Sequence, residues 1–515
     1  VQPFAAAEAP QVGSVAANED NTHSIVSAPG SIRFGKNLLG GTWVPARSGA
    51  EVVVESPYTG HAVGRVPDSS ADDVDAIVAA AAAAWPAWAA TPVKERVRPL
   101  QRFAEIVLKK AGELAETVVL ESGKTRDEAL GGIQRGLEVV DFAVSVPNLD
   151  RGGALDVSRG VTCEYRREPL GVVAGITPFN FPAMVPMWMF PIALAVGNAF
   201  VLKPSEKVPL SACLLGEWLL EAGLPPGLFS LVHGRRAAVE ALVDHPEVRA
   251  VGFVGSSPVA RSVYLRATAL GKRALCLGGA KNHLIVAPDA DDALTVKGVV
   301  DSFTGCAGQR CMAASVLVVV GAAERVVDGI VRAAGKLELG TGMGALIDRA
   351  ARERLVAAIA TAETDGARVL LDGRKAAPPA GYEGGHWLGP TVLDRVTPAM
   401  SAAKAELFGP VLSVIHVNTL DQALALERTS EYGNALSIFT TSGAVAHYVA
   451  ERATSGMVGV NVGVPVPRDP FSFGGTKSSK FGQGDMTGPA GVELWSNLKK
   501  ITTKWALSPD ANWMS

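Results

Sequence analysis

The chain has 515 residues, 48% hydrophobic and 19% charged, with a formal net charge of -3 at pH 7. That length exceeds one small core and implies two or three domains, and the near-neutral balance leaves no electrostatic footprint for nucleic acid or an anionic membrane. Five cysteines are too sparse for a disulfide-stapled secreted fold, and no paired CxxC spacing or neighbouring histidines supply a zinc site, so a reducing cytoplasm is expected.

Residues 1–37 show no periodicity and lack the basic and apolar regions of a signal peptide; they read as a polar, mobile leader. Residues 71–150 follow a mostly helical pattern, and "ALDVSRGVTCEYRREPL" reads as a hairpin. From Gly171 onward apolar runs alternate with helical patterns. "GVVAGI", "AFVLK", "LFSLV", "VRAVGFVG" and "RALCLGG" are predicted strands; helices over 187–196, 210–222, "AAVEALVDH" and "PVARSVYLRATAL" join them. This alternation predicts βαβ units in a parallel sheet, with ligands beyond the carboxyl ends of its strands, where "TPFNFP", "KPSEKVP", "HGRR" and "GSSP" fall. No charged residue lies between Glu168 and Lys203, a run long enough to cross a membrane. Pro182, Pro186, Pro191 and the Gly197-Asn198 pair interrupt it, so a buried helix followed by a buried strand is expected instead.

A second α/β block begins near Gly278. Its predicted strands are "NHLIVAP", "ASVLVVVG", "ARVLLDG", "PVLSVIHV" and "ALSIFTT"; its predicted helices are "DDALTVKGVVDSF", "DRAARERLVAAIATAET", "LDQALALERTS" and "AVAHYVAERAT". "VELWSNLKKITTKW" reads as a final extended arm, paired with the earlier hairpin across a subunit interface unless that hairpin is a plain edge. Within the second block, "DSFTGCAGQRCMAAS" holds Cys306 and Cys311. Local spacing alone leaves open a metal clip, a disulfide half and a nucleophile.

"TPFNFP", "LKPSE", "FVGSSPVA", "LGGAKNH", "AGQRCMA" and "ELFGPV" occur in this order at suitable distances, and on them the chain resembles the aldehyde dehydrogenase superfamily from about residue 38 to its end. "ITPFNFPAMVPMWMFPIALAVGN", "LGGAKNH" and "RCMA" are similar to its CoA-acylating methylmalonate-semialdehyde dehydrogenase branch. The resemblance implies an α/β fold: a Rossmann-type NAD-binding domain over 38–148 and 167–277, an α/β catalytic domain over 278–467, and a small β oligomerisation arm over 149–166 with the C-terminal segment 468–515. It implies a homodimer or homotetramer, small-molecule partners only, NAD as cofactor and CoA as co-substrate. The implied reaction oxidises methylmalonate or malonate semialdehyde, releases carbon dioxide and yields propionyl-CoA or acetyl-CoA.

By the same resemblance Cys311 is the thiolate nucleophile, and Asn180 with the Cys311 backbone N–H holds the oxyanion. Lys203 and Glu206 hold the adenine ribose, with Lys207 beside them; a carboxylate there favours NAD over a 2′-phosphorylated cofactor. Ser256 opens a helix facing the pyrophosphate. Thr177, Phe179 and Gly278 match further cofactor contacts, and Glu406 with Phe408 the nicotinamide ribose. Arg135 and Arg310 match the positions that clamp the substrate carboxylate. Cys306 is read as a small packing residue near the end of the preceding helix, and His283 as structural.

One absence carries weight. Hydrolytic relatives have "ELGGK", whose glutamate activates water; here "LCLGGAKNH" places Cys276, read as inert filler, at that position. A CoA thiol supplies its own thiolate, so thiolysis is expected. Against this, "GQRC" replaces the branch's usual "GERC", and Gln309 is common among hydrolytic relatives. A hydrolytic NAD(P)-dependent dehydrogenase for another small aldehyde and a catalytically silent structural relative are the alternatives.

Overall fold

The computed structural model describes residues 32–149 and 152–505. The leader expectation, but for its last six residues, and the end of the C-terminal segment lie outside the described residues.

Val172–Ile176 is buried along its whole length, as a strand covered on both faces of a parallel sheet must be. It lies centrally, with Ala199–Lys203 and then Phe229–Leu231 on one side and Val248–Val254 and then Arg273–Leu277 on the other, all parallel. The chain thus reverses its direction of travel across the sheet at its first strand. The loops following these strands converge beyond their carboxyl ends at that reversal, the place where such sheets bind ligands. Antiparallel pairs close both edges: Asn37–Leu39 and Thr42–Val44 on one, Lys480–Phe481 from the C-terminal segment on the other.

The uncharged run resolves as the helix Met184–Ala195, every residue buried, a turn at Gly197-Asn198, and the strand Ala199–Lys203. The Asn198 side chain satisfies that turn by accepting from Leu170 and Gly171 N–H and donating to the Ala193 and Trp495 carbonyls. No single helix among the described residues is long and apolar enough to cross a membrane.

The second sheet has seven strands, ordered Arg368–Leu371, Thr391–Asp394, Val411–Val417, Ala314–Val320, Asn282–Val286, Ala435–Phe439 and Met457–Val460, parallel except at its Arg368 edge. Five match predicted strands. Thr391–Asp394 and Met457–Val460 escaped prediction because four residues are too few to display a period against a glycine-rich background.

The arm differs from expectation. Ser496–Lys504 pairs antiparallel with Val161–Pro169 of the same chain, and that strand pairs with Gly153–Ser158. A pairing between subunits is therefore not needed to satisfy these strands. Val492–Leu494 ends the helix Gly488–Leu494, Trp495 is its C-cap, and the extended segment starts only at Ser496.

Candidate active site

Cys311 lies in the turn that leads into Ala314–Val320, the strand after the helix Asp292–Thr304. Its carbonyl accepts from Asn282 Nδ2 at 2.8 Å and Asn434 Nδ2 at 2.9 Å, two side chains that fix the turn from neighbouring strands. The residue opens onto two cavities, one of about 690 Å³ and one of about 260 Å³. Burial, reinforced by the Glu406 carboxylate, pushes its thiol up to about 12.

The larger cavity sits at the strand reversal. Thr177, Phe179 and Asn180 follow the central strand, and Lys203, Glu206 and Lys207 follow its neighbour. Ser256, Gly278, Glu406 and Phe408 complete its wall, so every residue expected on the cofactor side reaches it. Lys203 is buried, 3.5 Å from Glu206 Oε2, and burial holds its ammonium below its usual range. Lys207 pairs with Asp348 at 2.5 Å and lies over the Phe179 ring, which packs edge-on against Phe408. Ser256 is the N-cap of the helix Ser257–Ala269, and its hydroxyl caps none of that helix's N–H groups. At Gly278 an added Cβ would lie 2.6 Å from Ser257 Oγ and 2.8 Å from the Ser478 carbonyl. Glu406 accepts from Ala280 N–H at 2.8 Å, and burial raises its pKa. An uncapped helix N-terminus, a buried lysine–carboxylate pair and a side-chain-free glycine together fit a dinucleotide.

Asn180 is buried, and its Nδ2 donates to the Gln309 carbonyl at 3.0 Å, leaving a second amide hydrogen unassigned beside Cys311. Gln309 in turn accepts from Ile347 N–H at 2.9 Å, a bond that ties the nucleophile loop to the 345–347 segment. Its side chain is thus occupied in backbone contacts.

The smaller cavity holds both predicted arginines. Arg135 arrives from the helix Arg126–Leu149 with no ion pair among the described residues. Arg310 donates through NH2 to the carbonyls of Asp301 and, at 2.9 Å, Ser302, while its buried Nε has no partner. Half its fork therefore serves the end of a helix. The apolar wall includes Phe181 and the tilted pair Trp188–Phe473, 4.6 Å between centroids. Glu138, bonded to Arg468 at 2.7 Å, and Asp469 also reach this cavity; sequence reading passed over them, because only the fold brings the 467–473 segment beside Arg135.

Cys276 is fully buried in its strand and lines neither cavity; burial pushes its thiol up to about 12. Cys306 is not at a helix end but in the turn Gly305–Gly308, at a left-handed φ of 54°. His283 is buried and held neutral, its pKa pushed down to about 4 by burial.

A cysteine at the junction of a dinucleotide-sized cavity and a smaller apolar one defines a class of thiol-dependent oxidoreductase. The Aldehyde dehydrogenase family profile matches residues 43–501, and the chain belongs to that family. Malonate-semialdehyde dehydrogenase 2 of Geobacillus kaustophilus (strain HTA426) is 45% identical over 478 residues, 91% of this chain and 98% of that one. A Sinorhizobium meliloti 1021 protein complexed with NAD, provisionally assigned as a methylmalonate-semialdehyde dehydrogenase, is 42% identical with a TM-score of 0.92, covering 94% of this chain and 100% of that one. The methylmalonate-semialdehyde dehydrogenase of Oceanimonas doudoroffii is 40% identical with a TM-score of 0.91, covering 93% and 99%.

Proposed function

We propose that the protein is an NAD- and CoA-dependent dehydrogenase of malonate or methylmalonate semialdehyde. The observation that carries this reading is the position of Cys311, open to the Lys203–Glu206 cavity on one side and to the Arg135–Arg310 cavity on the other. The activities named for the relatives and the NAD-bound neighbour support it. The two sheets correspond to an NAD-binding and a catalytic domain.

Lys203, Glu206, Ser256 and Gly278 are the residues that hold NAD, which supplies the hydride acceptor. Cys311 Sγ attacks the aldehyde carbon once its proton has left, and Asn180 Nδ2 with the Cys311 N–H holds the oxyanion. Arg135, which makes no ion pair among the described residues, orients the substrate carboxylate, and Arg310 adds its free Nε. After oxidation the malonyl-type thioester on Cys311 loses carbon dioxide, and the same amide donors stabilise the enolate. No carboxylate occupies the position of Cys276, so a CoA thiolate takes the acyl group where water, lacking a base there, does not. On the arm, Leu155, Val157, Leu498 and Trp505 are exposed and suit burial against a second copy.

The test follows NADH formation from each semialdehyde with and without CoA. CoA-dependent turnover to propionyl-CoA or acetyl-CoA is expected. Turnover without CoA to a free acid would replace this reading with a hydrolytic one.

A further inference from the structure

Lys124 follows the glycine that ends the helix Ala111–Ser122 and is buried, 4% exposed. Its ammonium lies over the Phe181 ring at 4.1 Å and 2.6 Å from Cys306 Sγ, and among the described residues it has no carboxylate in an ion pair. A buried ammonium needs a counter-charge, and a ring face supplies only part of one. The Cys306 sulfur is the other atom placed against it. The cysteine backbone is held for this contact: its N–H donates to Glu128 Oε1 at 2.5 Å while φ stays at 54°. Cys306 also lines the cavity onto which Cys311 opens, so a small solute that reaches the nucleophile reaches Cys306 too. The other buried thiols, Cys213 and Cys276, have no cation beside sulfur, and burial pushes both up to about 12. A sulfur in contact with a buried lysine and lining a cavity has the features of a site that oxidises selectively.

We propose that Cys306, paired with Lys124, is a sulfenylation site for small hydroperoxides, separate from the catalytic thiol. The Cys306 thiolate attacks the outer peroxide oxygen, an S–O bond forms, and the O–O bond breaks with its electron pair on the leaving oxygen. That oxygen takes up the proton the peroxide brought, leaving water or an alcohol and a sulfenate. Sulfur loses two electrons and the peroxide gains them. The Lys124 ammonium pairs with the sulfenate oxygen as it did with the sulfur, so no new buried charge is created. The added oxygen narrows the smaller cavity.

The test treats the full chain with hydrogen peroxide in the presence of dimedone, then digests with trypsin, which cleaves after Arg310 and so separates Cys306 from Cys311. The Cys306 peptide is expected to carry the adduct in the unaltered chain and in Cys311→Ser, about tenfold faster than in Lys124→Met. Lys124→Arg, which keeps the cation, is expected to label within a few-fold of the unaltered chain. Equal labelling in Lys124→Met, or no adduct on Cys306 where the half-buried Cys163 carries one, overturns the proposal. Should Lys124→Met fail to fold, the unaltered chain decides: at pH 7 iodoacetamide is expected to alkylate Cys306 about tenfold faster than Cys163, and equal or slower alkylation of Cys306 overturns it.

Discussion

Asn180 donates its side-chain amide to the backbone carbonyl of Gln309 at 3.0 Å, the residue two before the nucleophile. One amide hydrogen thus sets the distance between the loop after the first central strand and the turn carrying Cys311, and the other is free for the substrate. Replacing Asn180 by Ala removes both. The proposed oxyanion role predicts a fall in kcat of roughly 10²–10³-fold with KM nearly unchanged, measured by steady-state NADH formation. A fall confined to KM contradicts it.

Arg135 separates substrates by charge. Arg135→Leu is expected to lower kcat/KM for malonate semialdehyde on the order of tenfold to a hundredfold, the worth of a charge-assisted hydrogen bond, while leaving propanal within a few-fold. Equal loss for both aldehydes would assign Arg135 to the shape of the cavity and not to recognition.

Gly278 has no room for a side chain. The Ser478 carbonyl that an added Cβ would meet at 2.8 Å belongs to backbone and cannot swing away. Gly278→Ala is expected to cost about 1–3 kcal/mol of stability and to weaken NAD binding, read respectively by a thermal melt and by quenching of intrinsic fluorescence on NAD titration. A melt shift with unaltered NAD affinity would place Gly278 outside the cofactor contacts.

His233 and His283 each contribute to acid stability, against an opposite pull from the buried Glu121 carboxyl, which burial raises to about 7. Burial pushes the two histidines down to about 3 and about 4, so both are neutral in the folded chain and protonate near 6.5 when it unfolds. At these two sites the unfolded chain therefore binds more protons between those values, and their contribution to stability rises with pH across that window. The histidine contribution is full above about 6.5 and lost as pH falls toward 4, by about 1 kcal/mol per pH unit for each histidine. His283→Phe is expected to flatten the dependence of unfolding free energy on pH between about 6.5 and 4.5, whatever it does to stability at neutral pH. An unchanged slope in denaturant melts would remove His283 from the account.

Much of the site was readable because chemistry demands particular residue types within short loops, and a parallel sheet delivers the loops after its strands to one edge. "TPFNFP", "KPSE", "GSSP" and "LGGA" needed only their order and the alternation of strand and helix to be placed together. The two missed strands of the second sheet show the limit: at four residues each, they are defined by the neighbours they hydrogen-bond, not by a period of their own.

What the sequence determined by itself was the class of fold and the family, because these rest on local pattern and on motifs that keep their order along the chain. The tertiary structure alone decided that Ser496–Lys504 pairs within its own chain, that half of the Arg310 fork is spent on helix carbonyls, and that Lys124 meets Cys306 across 182 positions. Those outcomes depend on which polar groups burial leaves in need of a partner, and packing assigns that partner from anywhere in the chain.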